Sequence, residues 1–257
     1  MKTDERHRAI AELLRRRHEV TVEELTLACD ASGATIRRDL EVLAANGVLR
    51  RVHGGARSLI GRGETPGYGQ RELEDQDTKK RIAAAVALLL RDREHVWLDS
   101  GSTATEVARA LAGRDLTVMP MSLRSLNALA GDEAAAGTRP ALLLPGGSLV
   151  PAELSFRGPL AESNIRSLRF DTAVVTPCAV DLKDGLLAHD LDDAAVKRAG
   201  LESATRVVVA AAAAKWDAVA RALVSGLDRV DIMVTNKQFS PEEQRRLDEN
   251  SVEVVNV

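Results

Sequence analysis

A chain of 257 residues with 45% hydrophobic content is long enough for two packed domains and is not a disordered or collagen-like sequence. Aromatic residues make up only 2%, so alanine, leucine and valine must fill the interior, and two cysteines exclude a disulfide-stapled scaffold. The net charge of −3 excludes nucleic-acid binding by bulk charge alone; residues 1–57 nevertheless hold 11 Lys and Arg against 9 Asp and Glu, leaving a balance of −5 for the remainder.

In chain order, Asp4 to about Arg17 reads as a first helix with Ile10, Leu13 and Leu14 as its buried stripe. The run Arg15-Arg16-Arg17 suits either a DNA-facing patch or a solvated helix end whose cations favour the C-terminal dipole. The dense charge of residues 1–19 leaves no signal peptide, and the apolar runs Ile82–Leu90 and Val207–Ala214 are under half the ~20 residues a bilayer requires. A soluble, cytoplasmic protein with no membrane partner is expected, its Cys29 and Cys178 reduced and buried.

Thr21-Val22-Glu23-Glu24 has the spacing of a capping box and opens a second helix through about Cys29. After the tight turn Asp30-Ala31, Ser32 is placed to cap a third helix that ends at Asn46-Gly47. On a 100° wheel Leu40 and Leu43 fall beside Ile36, Ala34, Arg38 and Glu41 lie opposite, and Thr35 and Arg37 flank. One face packs and the other is free to touch a partner. Two helices joined by a short turn have the geometry of a helix-turn-helix, whose second helix can enter the major groove. Val48 to Gly55 then alternates apolar and basic residues and closes on a glycine pair, as a β-hairpin wing would.

TIRRDL at 35–40 followed by LxxxGVLxRxHGGA at 43–56 resembles the N-terminal winged helix of the DeoR family of bacterial transcriptional repressors, over about Arg6 to Ala56. The resemblance implies that Thr35, Arg37 and Arg38, capped by Ser32, face double-stranded operator DNA. It assigns Arg51, His53 and Gly54-Gly55 to the wing, where Arg50, Arg51 and His53 would meet the backbone or minor groove.

Residues 58–78 contain Gly61, Gly63, Pro66, Gly67 and Gly69 ahead of an acidic run, with no hydrophobic period, and read as a linker between a domain at 1–57 and a domain at 79–257. From Lys79 onward short apolar strands alternate with helical stretches. A helix at 80–91 precedes a strand at His95–Leu98, a helix near Thr103–Ala112, a strand at Leu116–Met119 and a helix near Leu123–Ala130. Strands follow at Ala141–Leu144, Asp171–Val175, Val207–Ala211, Val230–Thr235 and Val252–Val255. Such alternation predicts an α/β domain with a largely parallel sheet.

The sharpest chemistry in this part is Asp99-Ser100-Gly101-Ser102-Thr103-Ala104-Thr105, where a strand runs into a small hydroxyl-rich turn that opens a helix. Backbone N–H groups at a helix N-terminus, with Ser and Thr hydroxyls, cradle phosphate; a hydroxyl-rich cap on any α/β helix has the same look. KxxIA at 79–83, LDSGST at 98–103 and the turn Leu144-Pro145-Gly146-Gly147 resemble, in order, the effector domain of the same family. That resemblance implies a fold like ribose-5-phosphate isomerase, a phosphorylated sugar as effector, and Asp193 and Lys215 as further ligand-binding residues. No cofactor is expected, and assembly as a dimer or tetramer is, since one winged helix buries too little surface for useful affinity.

Four residues, at three places in the chain, depart from the family pattern. Pro120-Met121 stands where a Thr-Asn pair is usual, Asp193 replaces a Glu, and Ala212 replaces an Asp three residues before Lys215. The phosphate end is intact and the sugar end altered, so a different or less demanding effector is expected unless Asp181, His189 or Asp190 compensates. The five histidines show no metal-ligand spacing, Ser100 lacks a G-x-S-x-G elbow, and Trp97 and Trp216 read as core anchors. A repressor relieved by a phosphorylated sugar is therefore expected. The alternatives are a sugar-phosphate isomerase or transferase with an accessory DNA-binding domain, and a repressor with a degenerate pocket; the loss of a carboxylate at Ala212 argues against the enzyme.

Overall fold

The computed structural model describes residues 1–58, 67–131, 139–216 and 218–257, with the side chains of residues 15 and 16 outside the described set. The chain divides into two compact units, Met1–Gln76 and Asp77–Val257.

The first unit starts with α1 (Thr3–Arg17), a short strand β1 (Glu19–Thr21), α2 (Val22–Cys29) and α3 (Gly33–Ala45). The hairpin β2 (Leu49–Val52) and β3 (Gly55–Ser58) follows, then a one-and-a-half-turn helix α4 (Tyr68–Leu73). The capping box forms as the spacing predicts: Glu24 N donates to Thr21 Oγ1 at 3.1 Å and Thr21 N to Glu24 Oε2 at 2.8 Å. Ser32 Oγ accepts from Thr35 N at 3.2 Å and so starts α3. Ile10, Leu14, Leu25, Ile36, Leu40, Leu43, Leu49 and Ala56 form the core, each at most 2% exposed. Leu13, expected in the stripe, is only partly buried. Two features differ from expectation. The wing is a three-stranded sheet, because β1 pairs antiparallel with β3 in register Val20↔Ala56; three residues are too few to display an alternation. Helix α4 lies inside the stretch read as linker, with Tyr68, Gly69 and Gln70 buried; six residues cannot show a helical period. Gly61, Gly63 and Pro66, on which that linker assignment leaned, lie outside the described residues.

The second unit runs α5 (Gln76–Leu89), β4 (His95–Leu98), α6 (Ser102–Leu111), β5 (Thr117–Pro120), α7 (Leu123–Ala130) and β6 (Ala141–Leu142). A hairpin β7 (Ser148–Val150) and β8 (Ser155–Arg157) leads to α8 (Pro159–Arg166) and β9 (Phe170–Val175). Then come β10 (Ala179–Asp181), β11 (Gly185–Ala188), α9 (Leu191–Glu202), β12 (Ala204–Ala210), β13 (Ala222–Ser225), β14 (Ile232–Thr235), α10 (Pro241–Glu249) and β15 (Glu253–Asn256). Seven strands make one parallel sheet in the order β15-β14-β12-β9-β4-β5-β6.

Period-2 alternation divides its side chains between two cores. Val96, Leu98, Val118, Val174, Val208 and Val234 meet Ile82 and Val86 of α5, Val107 and Leu111 of α6 and Leu129 of α7. On the other face Trp97, Ala173, Val175, Val207, Val209 and Met233 meet Ile165 of α8, Val196 of α9 and Leu247 of α10. Burial on both faces is why these strands read as continuous apolar runs. The antiparallel sheet β10-β11-β13 and the β7–β8 hairpin were not foreseen, since their strands are only three or four residues long.

From β4 the chain winds outward through β5 to β6; it then returns to the other side of β4 as β9 and winds away through β12, β14 and β15. The carboxyl ends of β4 and β9 therefore face a crevice where the winding reverses, the usual place for a ligand in an open α/β sheet.

Candidate functional site

In the first unit, α3 and the wing carry every residue expected to face DNA. Arg37, Arg38, Arg50, Arg51 and His53 are exposed, and Thr35 is half-buried. Ser32 is exposed, but its oxygen is engaged as the helix cap and lies 2.9 Å from Thr35 Oγ1. Arg51 Nη1 donates to Glu41 Oε1 at 2.9 Å, which ties the wing to α3 and partly offsets that cation. Among the described residues Arg37, Arg38 and Arg50 have no acidic partner, so their charges are available to phosphate or base edges. Arg17 is paired with Glu24 at 3.1 Å.

Behind α3 lies a contact that the sequence reading missed. Asp39 is 4% exposed and takes a two-toothed grip from Arg6 of α1, Nε to Oδ2 at 2.8 Å and Nη2 to Oδ1 at 3.1 Å. His7 Nε2 stands 3.1 Å from the same Oδ1. Burial by itself would raise the Asp39 pKa; the bonds from Arg6 and His7 outweigh it and hold the carboxyl below its ordinary value. The available signal was helical phase, because Asp39 lies about 60° from Ile36, on the packed side.

In the second unit the turn after β4 sits at the sheet's reversal point. Gly101, at the N-cap of α6, has φ 114° and ψ 173°, a region that L side chains rarely adopt. Thr105 N and Thr105 Oγ1 both donate to Gly101 O at 3.0 Å. Thr103 and Thr105 are buried and shape the turn, whereas Ser100, Gly101 and Ser102 are half-buried. The N–H groups of the first turn of α6 have no acceptor within the helix, as an anion requires.

Asp99 anchors this turn. Its Oδ1 accepts from Ser100 N at 2.7 Å and its Oδ2 from Thr176 N at 2.9 Å, joining the ends of β4 and β9. Lys197 Nζ of α9 donates to both oxygens at 2.7 and 2.6 Å, and each side chain is 2% exposed. Burial lifts the Asp99 carboxyl above its ordinary value against the pull of Lys197, yet three donors making four bonds to its two oxygens favour the ionised form. Burial would lower Lys197; Asp193 and Asp99 outweigh it and hold the ammonium above its ordinary pKa.

The ionic chain continues. Asp193 Oδ1 is 3.5 Å from Lys197 Nζ and 3.8 Å from Arg157 Nη2, and Cys178 Sγ lies 3.6 Å from Asp193 Oδ2. Arg157 also pairs with Asp190 at 2.7 Å, while Asp190 caps α9 by accepting from Asp193 N at 2.8 Å. Lys215 ends a single 3-10 turn, Ala213–Lys215; burial pushes the Cys178 thiol up, against the pull of Lys197 and, more weakly, of Lys215. Gly146 and Gly147 have φ 70° and 85° in the turn before β7. A Cβ on Gly147 would come within 2.4 Å of Arg157 O, so this turn presses on the strand that carries Arg157.

The structure thus gathers Asp99, Ser100, Gly101 and Ser102 at one corner. It links Asp193 to them through Lys197, a residue that sequence reasoning passed over, although the four-residue spacing of Asp193 and Lys197 on one helix was visible. Of the three residues considered as substitutes for the lost polar groups, Asp181 accepts from Lys183 N and Asp184 N at 2.7 and 2.8 Å and serves its own turn. Asp190 is joined to Arg157, and His189 is half-buried next to it. Pro120 and Met121 are buried, Met121 O accepting from Phe156 N at 2.9 Å, and Ala212 is 9% exposed. None of the three supplies a polar side-chain atom.

Residues 6–60 match the DeoR-like helix-turn-helix domain and residues 74–237 match the DeoR C terminal sensor domain. The chain is similar to the transcriptional repressor AccR of Agrobacterium fabrum, 33% identical over 91% of this chain and 90% of that protein. It is similar to the HTH-type transcriptional regulator GlpR of Haloferax volcanii at 30%, over 98% and 96%. The glycerol-3-phosphate regulon repressor of Haemophilus influenzae is 31% identical over 91% and 90%. Among solved structures, ribose 5-phosphate isomerase A from Methanocaldococcus jannaschii overlaps 56% of this chain and 55% of its own at TM-score 0.40 and 16% identity.

Proposed function

Because the chain belongs to the DeoR family of transcriptional regulators, we propose that it binds operator DNA through α3 and the wing, and that a phosphorylated small molecule at the β4–α6 turn releases it. Its relatives are transcriptional regulators, AccR and the glycerol-3-phosphate regulon repressor among them, and the isomerase-like alternative is set aside. By analogy with the regulon repressor, the controlled genes belong to carbohydrate or glycerol-phosphate metabolism. Residues 1–57 serve DNA binding, the stretch after them as far as Gln76, with α4, belongs to the same compact unit, and 79–257 sense and self-associate as a dimer or tetramer in the cytoplasm. No described helix is long and apolar enough to cross a membrane.

The observation that carries the effector reading is the β4–α6 turn at the reversal of the parallel sheet. Its glycine, amides and Ser100 and Ser102 hydroxyls suit a phosphate, and it is braced from behind by the Asp99–Lys197 pair. In this reading Thr103 and Thr105 shape the cradle, Gly146 and Gly147 bound it, and Asp193 and Lys215 face the rest of the ligand. The switch works through a higher affinity of the ligand for a sensor arrangement that no longer suits two half-sites at once.

A thermal-shift screen of the full chain against sugar phosphates and their unphosphorylated forms tests this. A ligand at about 100 times its Kd stabilises by ~2.7 kcal/mol, a rise of roughly 5–10 °C for a unit of this size. The rise should come from a phosphorylated compound and vanish in Ser102→Ala and Lys215→Ala. No rise with any compound would favour a decayed pocket, for which the apolar residues at Pro120, Met121 and Ala212 speak.

A further inference from the structure

The recognition helix is attached to the rest of its unit in two ways. Ile36, Leu40 and Leu43 give it an apolar contact, which holds a helix down without fixing its angle, since packed helices scatter by about 15–20° around their preferred crossings. Asp39 gives it a directional one. Its two oxygens receive Arg6 Nε and Nη2, and His7 Nε2 sits on the second of them. The remaining Arg6 nitrogen, Nη1, donates to Met1 O at 3.0 Å, and Nη2 also reaches Thr3 Oγ1 at 3.4 Å, so the guanidinium is fixed to the first turn of α1. The buried Cys29 thiol at the end of α2 lies close enough to feel both Arg6 and Asp39. One carboxylate therefore sits where α1, α2 and α3 converge.

A buried ion pair is a poor way to gain stability, because apolar residues of similar volume serve as well or better. What a planar two-toothed guanidinium–carboxylate contact adds is direction. We propose that Arg6 and His7 are positioning residues: by gripping Asp39 they set the angle at which α3 presents Thr35, Arg37 and Arg38, and hence the choice of DNA sequence more than the overall strength of DNA binding. This rests on α3 being the DNA-reading helix. Thr35 lies four residues, about 6 Å, from Asp39 along the helix, so a tilt of about 10° about that point shifts it by roughly 1 Å, and the long arms of Arg37 and Arg38 carry their ends by a similar distance. Hydrogen bonds to base edges tolerate about 0.5 Å, whereas long arginines can still follow a phosphate.

The test uses the full chain. A duplex selected by the wild-type protein from a random library is compared with a scrambled duplex of equal length, at one salt concentration, for the wild type, Asp39→Asn and Arg6→Lys. Arg6→Lys keeps the charge and loses the fork. Both variants should lose about tenfold or more of the preference for the selected duplex while their affinity for the scrambled duplex stays within about twofold. A preference unchanged within about twofold, or an equal fall for both duplexes, overturns the proposal. If Asp39→Asn does not fold, Arg6→Lys decides alone, and a failure of Arg6→Lys to fold also overturns it by making the cluster a stabilising device. Should the wild type select no sequence at all, the DNA-reading role of α3 falls and the proposal with it.

Discussion

Replacing Lys197 with methionine keeps the length of the side chain and removes its charge, leaving Asp99 as a carboxylate 1% exposed with no counter-ion. The Ser100 and Thr176 amides would remain at 2.7 and 2.9 Å, and Asp193 would keep Arg157 at 3.8 Å. Breaking a buried pair from one side costs about 3–5 kcal/mol, and the surviving amide bonds place this case near 3. In a unit of about 180 residues, Asp77–Val257, that lowers Tm by about 6–12 °C. Removing both charges in Asp99→Asn/Lys197→Met should recover more than half of the loss, because the stranded charge and not the missing bond is the larger penalty. Trp97, fully buried in the same unit, reports the transition by fluorescence. A fall below about 2 °C for Lys197→Met, or a double variant no more stable than the single one, would show that this ion pair does not brace the turn.

The other perturbations address separate elements. Arg37→Ala and Arg38→Ala should weaken DNA binding, and whichever of the two contacts a phosphate should reduce the slope of log K against log salt by about 0.9; fluorescence anisotropy across a salt series separates it from a base contact. Gly101→Ala should cost about 1–3 kcal/mol and abolish stabilisation by phosphorylated compounds, seen in thermal shift; the cause is φ at 114° and not a clash, since the nearest atom, Thr176 Oγ1, is 3.6 Å from the added Cβ. The Asp39 carboxyl titrates below its ordinary value in the fold, so the unfolded chain takes up its proton first as pH falls; the stability it contributes is present above the ordinary value and is lost as pH drops through the folded one. Amide hydrogen exchange in α1 and α3 between pH 6 and pH 3 should show that loss, and Asp39→Asn should flatten it.

The sequence was legible where a contact is local or periodic. Ile36, Leu40 and Leu43 recur at helical spacing, Thr21 and Glu24 stand three apart, and the buried parallel strands are runs of valine and alanine, so α3, α2 and the central sheet could be read before any coordinates. What stayed hidden depends on distant partners or very short elements. Asp99 and Lys197 meet across 98 positions, and Arg6 and Asp39 across 33. Nothing in the neighbourhood of Asp99 tells a helix-capping carboxylate from one bound to a lysine on another helix. Strands such as Ala179–Asp181 and Ser148–Val150 are three residues long and exist only because a neighbour supplies their hydrogen bonds.

The two ends of the proposed pocket are unequal in polar chemistry, and that inequality sets what the sensor can distinguish. At the phosphate end stand Ser100, Gly101 and Ser102, with Asp99 and Lys197 behind them. Toward the sugar, Pro120, Met121 and Ala212 bring no side-chain donor or acceptor, and Asp181 is occupied with its own turn. A site that hydrogen-bonds a hydroxyl rejects a ligand lacking it by 10⁴–10⁵, whereas an apolar wall discriminates by only about 10–200-fold. Phosphoesters that differ in the configuration of one hydroxyl should therefore bind with Kd values within about tenfold of one another, and glycerol phosphate should retain much of the stabilisation of a hexose phosphate. Isothermal titration of epimeric hexose phosphates measures this directly. If one epimer bound more than a hundredfold better than another, Asp193 and Lys215, which face the rest of the ligand in this reading, would be reading its hydroxyls despite the apolar wall, and they would be the first to change to alanine.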